Sequence, residues 1–198
     1  MSKNLKLFIY VVFFTYILIP KLSVSAAVSI PDWVRIGLEY KYKSTSRIDI
    51  KNNELLMGYE SNGDFIPEAV FQSTTGFYVI PSSAYFISIN QYFYTYDEAK
   101  FLAQDLKNLG LNAFPCSISP SKWTVYIGEI SSLGEASVIS SSVNSLTGKQ
   151  CMTKEPLATR MILRNQNEVI AVLEGEEAYP QFAGISSNAS DEIIDLGD

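Results

Sequence analysis

Two stretches of the chain, 85–90 and 123–128, alternate between two sets of side chains with a period of two. The sets are Tyr85, Ile87 and Ile89 against Phe86, Ser88 and Asn90, then Trp123, Val125 and Ile127 against Thr124, Tyr126 and Gly128. A period of two predicts a β-strand with one buried face. The two stretches therefore predict two similar strands.

Each of these strands leads into the same signal for the start of a helix. Thr95 with Glu98, and Ser132 with Glu135, form capping boxes, in which a hydroxyl and a glutamate three positions later bind each other's backbone N–H groups. Apolar residues then recur at helical spacing, and glycines at positions 110 and 148 end the two patterns. A short strand follows each helix.

The unit of strand, helix and strand thus occurs twice within residues 85–156. Two units predict an α+β fold, a βαββαβ antiparallel sheet of the ferredoxin or RNP type with both helices on one face. The expected strand order, 4-1-3-2, places the strands of Cys116 and Cys151 about 14 Å apart. The two thiols should therefore not be bonded, since a disulfide needs much closer Cα atoms.

The flanking sequence predicts a second, β-rich region. Strand patterns separated by turn residues occur at 32–40, 46–52, 54–60, 68–73 and 76–82, and a hairpin pattern occurs at 159–174. Because a lone hairpin is marginally stable, we expect it to pair with the N-terminal strands. The predicted domains are a discontinuous β domain (31–82 with 157–176), the inserted unit (85–156) and a disordered acidic tail (186–198).

The first 27 residues have the pattern of an export signal. Lys3 and Lys6 precede an apolar run at 7–19, which is too short for a typical membrane-spanning helix, and small residues follow at 23–27. We expect cleavage after Ala26 or Ala27; the alternative is an uncleaved membrane anchor. Both versions predict an extracytoplasmic protein, in the cell wall or anchored to the membrane.

Composition excludes several classes of function. The net charge of −6 argues against nucleic acid as a partner, because phosphates favour basic proteins. The sequence has no histidine and two cysteines, which removes the commonest general base, the Ser-His and Cys-His pairs and four-cysteine metal sites. We therefore expect no metal and no cofactor.

The second repeat, "WTVYIGEISSLGEA", resembles the signature of SPOR domains, and "YFISINQYFYTYDEA" matches their first strand more loosely. This resemblance covers residues 85–156. SPOR domains are βαββαβ modules of exported bacterial proteins, and the resemblance implies binding to peptidoglycan glycan strands that lack stem peptides.

The flanking segments "VRIGLEYKY" and "SRIDIKNNELLMGY" resemble the non-catalytic N-terminal region of SpoIID/LytB-family proteins. In that family a lytic transglycosylase domain follows, and its segments do not occur in this sequence. The resemblance therefore implies a cell-wall protein that binds glycan without being an enzyme. The alternatives are a truncated relative of a lytic transglycosylase, or a structural module that binds other envelope proteins.

The candidate glycan site is the sheet face opposite the helices, which two helices alone leave open. Aromatic and small polar side chains suit the apolar ring faces and hydroxyls of sugars. The predicted glycan-binding residues are Phe86, Ser88, Asn90, Thr124 and Tyr126. The alternative is that Phe86 and Tyr126 pack against the flanking β domain.

Glycoside cleavage requires a pair of carboxylates at a cleft. The glutamates of the two capping boxes have a structural explanation, and "EGEE" at 174–177 has the pattern of a solvated run. No pair is placed at a cleft, so no catalytic residue is predicted. The acidic residues considered were Asp97, Glu98, Glu129, Glu135, Glu174, Glu176 and Glu177.

Overall fold

The chain forms eleven strands and two helices within residues 46–166, 168–175 and 180–184, the residues that this computed structural model describes. The elements are β1 (Ile48–Ile50), β2 (Glu54–Ser61), β3 (Asp64–Gln72), β4 (Phe77–Pro81), β5 (Tyr85–Ile89), α1 (Tyr96–Asn108), β6 (Ala113–Ser119), β7 (Lys122–Ile130), α2 (Leu133–Thr147), β8 (Cys151–Lys154), β9 (Met161–Asn165), β10 (Glu168–Leu173) and β11 (Gln181–Gly184). Three predicted segments lie outside the described residues: the export signal at 1–27, the strand at 32–40 and the tail at 186–198.

The predicted fold class, a four-stranded antiparallel βαββαβ sheet inserted into a separate β-rich domain, is wrong. The main sheet has eight strands in the order β1-β4-β9-β10-β6-β7-β5-β8, and it is mixed because β10 and β6 are parallel. The hairpin of β9 and β10 continues the sheet beyond β6, where the prediction placed an edge. The neighbouring strands β6-β7-β5-β8 do have the expected 4-1-3-2 order.

The hairpin connects the two predicted domains through the sheet. Its strand β9 pairs antiparallel with β4, which confirms the expected pairing with the N-terminal strands. Its strand β10 pairs with β6, inside the range 85–156. Backbone hydrogen bonds therefore cross the predicted boundary, while the division into domains itself stays a prediction.

Both helices begin where the sequence predicts. Thr95 accepts a hydrogen bond from the Glu98 N–H, and the Glu98 carboxylate accepts one from the Thr95 N–H, so this capping box is confirmed. Ser132 accepts from the Glu135 N–H, while the Glu135 carboxylate accepts from a neighbouring hydroxyl instead. Helix α2 ends at Gly148, whose φ of 65° is readily adopted by glycine.

The connection between β4 and β5 forces the main sheet to curl. These strands are second and seventh in the sheet, so a flat sheet would separate them by about 24 Å. Only residues 82–84 join them, and the four Cα–Cα steps from Pro81 to Tyr85 reach at most about 15 Å. The sheet therefore bends back towards itself and gains an inner and an outer face.

The two faces of the curled sheet belong to separate apolar cores. Strands β5, β6, β7, β9 and β10 all contribute to the inner core. Its buried members are Phe86, Phe114, Cys116, Ile118, Tyr126, Ile162, Val169 and Val172. The outer face packs against both helices and the second, three-stranded sheet, whose order is β11-β2-β3.

Aromatic contacts hold the second sheet against the outer face. The ring of Tyr96 lies between Phe71 of β3 and Trp123 of β7, with centroid distances of 5.1 and 5.3 Å. The hydroxyl of Tyr59 lies 2.6 Å from the Ser117 hydroxyl. Burial raises the pKa of both tyrosines to about 12, so both phenols stay protonated at neutral pH.

Both cysteines are free, as the expected strand order predicted, and we expect them to differ in reactivity. Cys116 is fully buried in the inner core, and burial raises the pKa of its thiol well above the usual value. Cys151 is partly exposed. Burial raises the pKa of the Cys151 thiol as well, so access to the reagent decides the difference. Iodoacetamide should label Cys151 in the native protein and Cys116 only after unfolding. Mass spectrometry measures both, and a cross-linked peptide two hydrogens lighter would contradict the strand order.

Candidate functional site

Four of the five predicted glycan-binding residues are buried, so the predicted open patch is wrong. Phe86, Thr124 and Tyr126 expose no surface, and Ser88 exposes 3%. Phe86 and Tyr126 do share one face, because their rings stack with centroids 5.5 Å apart. That face is the inner face of the curled sheet, where no glycan strand can reach it.

The flanking strands cover this face. This is the alternative stated above, in which Phe86 and Tyr126 pack against the flanking β strands. Ile162 and Val172 of the hairpin belong to the same buried cluster as Phe86 and Tyr126. Ile80 of β4 packs against that cluster from the other side of the β4–β5 connection. The patch therefore contributes to stability as part of a core.

The two predicted hydroxyl residues are occupied by internal hydrogen bonds. The Ser88 hydroxyl donates to the carbonyl oxygen of Ile89 at 3.3 Å. The Thr124 hydroxyl lies 2.9 Å from the carbonyl oxygens of both Ile89 and Gln91 and can donate to either. These bonds satisfy buried polar groups and fix the end of β5 to β7.

A buried charged network lies beside the inner aromatic residues. Arg160 donates through Nη2 to the Glu174 carboxylate at 2.9 Å, and Tyr126 donates its hydroxyl proton to the same oxygen. Burial raises the pKa of Tyr126 strongly, with further contributions from Cys116 and Glu174. The phenol therefore remains a hydrogen-bond donor, and one oxygen of the Glu174 carboxylate accepts from both Tyr126 and Arg160.

Arg160 also connects the two chain segments that border the inner face. Its Nη1 donates to the carbonyl oxygens of Glu155 at 2.8 Å and Ala84 at 3.3 Å. Its guanidinium lies 5.2 Å from the ring centroid of Phe86, a cation–π distance. The network thus joins the β4–β5 connection to the segment that leads into β9.

Sequence reasoning missed this network. The pattern "EGEE" indicates a solvated acidic run for Glu174, although this residue follows directly after a buried strand. A single arginine at the start of a strand pattern, such as Arg160, has no distinguishing signal. The ion pair between Arg160 and Glu174 depends on the register of the β9–β10 hairpin, which cannot be read from the sequence alone.

The other carboxylates that were considered also have structural roles where the structure describes them. Asp97 lies in the first turn of α1, and Glu98 caps that helix. Glu135 lies in the first turn of α2, and Glu129 pairs with Arg164. Residues 176 and 177 lie outside the described ranges. Within those ranges, no group of three cysteine, aspartate or glutamate side chains could hold a metal ion.

Asn90 is the one predicted site residue that is exposed, and it begins a loop, residues 90–94, here called the tyrosine loop. Within this loop Tyr92 is 52% exposed and Tyr94 is 83% exposed. Both lie in the SPOR-like stretch "YFISINQYFYTYDEA". They follow the strand, so the period of two does not mark them. The loop is the part of the predicted site that solvent can reach.

Backbone hydrogen bonds hold the tyrosine loop in place. Phe93 exchanges two bonds of 2.8 Å with Trp123, and the Asn90 N–H donates to Gln150 at 2.9 Å. The carbonyl of Gln91 accepts from Thr124. The exposed tyrosines therefore lie on a fixed backbone, which lowers the entropy lost when a ligand binds.

Comparisons of the chain with protein-family models, curated proteins and solved structures find no match in any of the three. Membership of the SPOR or SpoIID/LytB family therefore stays a prediction from the quoted sequence patterns. Neither helix of the described ranges combines the length and the apolar character that a membrane span requires.

The network of Arg160, Glu174 and Tyr126 should dominate the response to charge removal in the core. We expect Glu174→Gln to lower the free energy of unfolding by about 3 to 5 kcal/mol, because it leaves the Arg160 charge buried without its partner. The double variant Arg160→Met with Glu174→Leu should recover much of this loss, because no unpaired charge remains. Urea unfolding measures the three values; a loss below about 1 kcal/mol for Glu174→Gln would show that the network is solvated.

Proposed function

We propose that this chain is an exported, non-catalytic protein of the bacterial cell envelope, and that its tyrosine loop contacts peptidoglycan glycan strands. Support for export comes from the pattern of residues 1–27 alone. Support for the binding site comes from one observation, the exposure of Tyr92 and Tyr94 on a backbone that is held on both sides. The contact then lies on the loop at the end of β5, and the buried sheet face takes no part in it.

The exposed rings suit the chemistry of a glycan. Sugar rings have apolar faces that pack on aromatic rings, and tyrosine adds a hydroxyl that can bond to sugar hydroxyls. Exposed apolar side chains that lie close together mark contact sites more often than single exposed residues do. The loop offers two of them within three residues, so one glycan strand can meet both.

Polar groups surround the tyrosines. The Lys122 ammonium lies 5.0 Å from the centroid of Tyr92, and Lys149 donates to the side-chain oxygen of Gln91 at 3.2 Å. Asn90 is exposed at the start of the loop. Amide and ammonium groups can donate to the N-acetyl, hydroxyl and carboxylate oxygens of amino-sugar chains. This mixture supports a polar, uncharged or anionic glycan as the ligand.

Glycan binding needs no reactive group. Two carboxylates that could have served catalysis have structural partners instead. Glu174 is buried and paired, and Glu98 is committed to a capping box. The second candidate, a module that binds envelope proteins, is favoured by a different surface, the edge of β3, which pairs with β2 alone among the described residues.

Replacement of the two tyrosines should separate binding from folding. We expect Tyr92→Ala and Tyr94→Ala each to weaken retention on purified sacculi treated with an amidase, and the double variant to lose about tenfold or more, equivalent to about 1.4 kcal/mol. The unfolding free energy should change by no more than about 0.5 kcal/mol, because these side chains are exposed. Co-sedimentation measures the retention.

Phe101→Ala is the matched control, because Phe101 is an aromatic residue on α1 with 73% exposure. It should leave retention unchanged. Equal losses for the control and the tyrosine variants would contradict a site at the loop. No retention of the unmodified protein would contradict glycan binding altogether.

A further inference from the structure

One edge of the second sheet borders a groove that is separate from the tyrosine loop. Strand β3 is the last strand in the order β11-β2-β3, and among the described residues it pairs with β2 alone. Val70, Phe71 and Gln72 are consecutive, and all three line the groove. Consecutive residues point to opposite faces of a strand, so the groove lies along the edge of β3.

Helix α1 forms the opposite wall of this groove. Tyr96, Lys100, Gln104 and Lys107 line it at intervals of three to four residues, as one stripe of a helix should. Val169 and Ile170 of β10, with Pro115 of β6, add apolar surface. The cavity volume is about 510 Å³, within the range of ligand pockets.

The open part of the edge is limited to the second half of β3. In the first half, Pro67 has no N–H to offer, and Glu68 is engaged by the Ser121 N–H at 2.5 Å and by the Trp123 indole at 3.2 Å. From Ala69 to Gln72 the strand carries neither proline nor charge. Val70 is 47% exposed there. Proteins usually protect such edges from pairing.

We propose that this groove binds an extended, acidic peptide segment of a partner protein, which pairs with the free edge of β3 as a fourth strand. Along an edge strand, every second residue directs its N–H and C=O away from its neighbour. An extended peptide supplies the matching alternation of donors and acceptors, and a glycan strand does not. The ligand class is therefore different from that of the tyrosine loop.

The charges of the helix wall select the side chains of the peptide. Lys107 is paired with Glu168 at 2.7 Å, whereas Lys100 has no carboxylate partner among the described residues and lies 5.4 Å from the centroid of Tyr96. A carboxylate of the bound strand can pair with Lys100, while alternate apolar side chains face Ile170, which packs on the outer face of the sheet. A strand with alternating acidic and apolar residues fits both walls.

Three synthetic peptides test the proposal by fluorescence anisotropy with the full chain. The first is a labelled hexapeptide with alternating glutamate and valine, the second is the same peptide methylated at alternate backbone nitrogens, and the third has lysine in place of glutamate. We expect the first to bind and the other two to bind at least about tenfold more weakly, because they lose the ladder bonds or the charge pairing. Absence of binding by the first peptide, or equal binding of the methylated one, would overturn the proposal.

Substitutions in the groove test whether the peptide binds there. Gln104→Trp should fill the groove and abolish peptide binding, and Lys100→Glu should weaken the acidic peptide about tenfold or more. Asp105→Ala, an exposed change on α1 outside the groove, is the control and should leave binding unchanged. Unchanged binding to Gln104→Trp would overturn the proposal. If the peptide bound only after removal of residues 185–198, the occupant would be the chain's own terminus and the partner would be excluded.

Retention on sacculi separates this inference from the proposed function. Gln104→Trp should keep glycan retention while it loses the peptide. The tyrosine-loop variants should show the opposite pattern. Loss of both activities in Gln104→Trp, at unchanged unfolding free energy, would contradict two separate surfaces.

Discussion

The short connection between β4 and β5 is the constraint on which the rest of the structure depends. Three residues join strands that are second and seventh in the main sheet, so the sheet has to curl. The curl turns one face inwards and leaves the other to pack against the helices and the second sheet. The burial of Phe86 and Tyr126 follows from this division.

The inner face is stabilised by an arrangement that does not rely on apolar packing alone. Arg160 and Glu174 are both buried, and the Tyr126 hydroxyl completes their pairing. Removal of two charges from water is unfavourable unless their hydrogen bonds are nearly all made, and here the Arg160 Nε has no partner among the described residues. We interpret the network as a device that fixes the register between the hairpin and β7 rather than as a large source of stability.

The local elements could be predicted from sequence because their signals are local. The strand of Ile87, the cap at Thr95 and the left-handed turn at Gly148 each depend on a few neighbouring residues. The closed face could not be predicted in the same way. Phe86 and Ser88 alternate with aliphatic residues whether their face meets solvent or a second layer. The hairpin that helps to close the face lies more than 70 residues further along the chain.

The sheet-face part of the predicted glycan site was wrong for the same reason. One predicted residue is exposed and shows which part of the site the period-two pattern could predict. Asn90 lies just beyond the strand and is exposed, as predicted. Tyr92 and Tyr94 follow in the loop and are exposed. A period of two no longer applies there, so the strand pattern does not predict them as site residues. The edge groove at β3 depends on how α1 lies across the second sheet, a packing relation that no short motif encodes.

Urea unfolding of Tyr126→Ala beside Tyr94→Ala tests the central claim, that the inner face is core and the loop is surface. The account predicts that Tyr126→Ala lowers the free energy of unfolding by about 3 to 5 kcal/mol, as truncation of a buried aromatic residue does. Tyr94→Ala should change it by no more than about 0.5 kcal/mol. A Tyr126→Ala variant as stable as the unmodified protein would show that the face is open and would contradict the curled sheet.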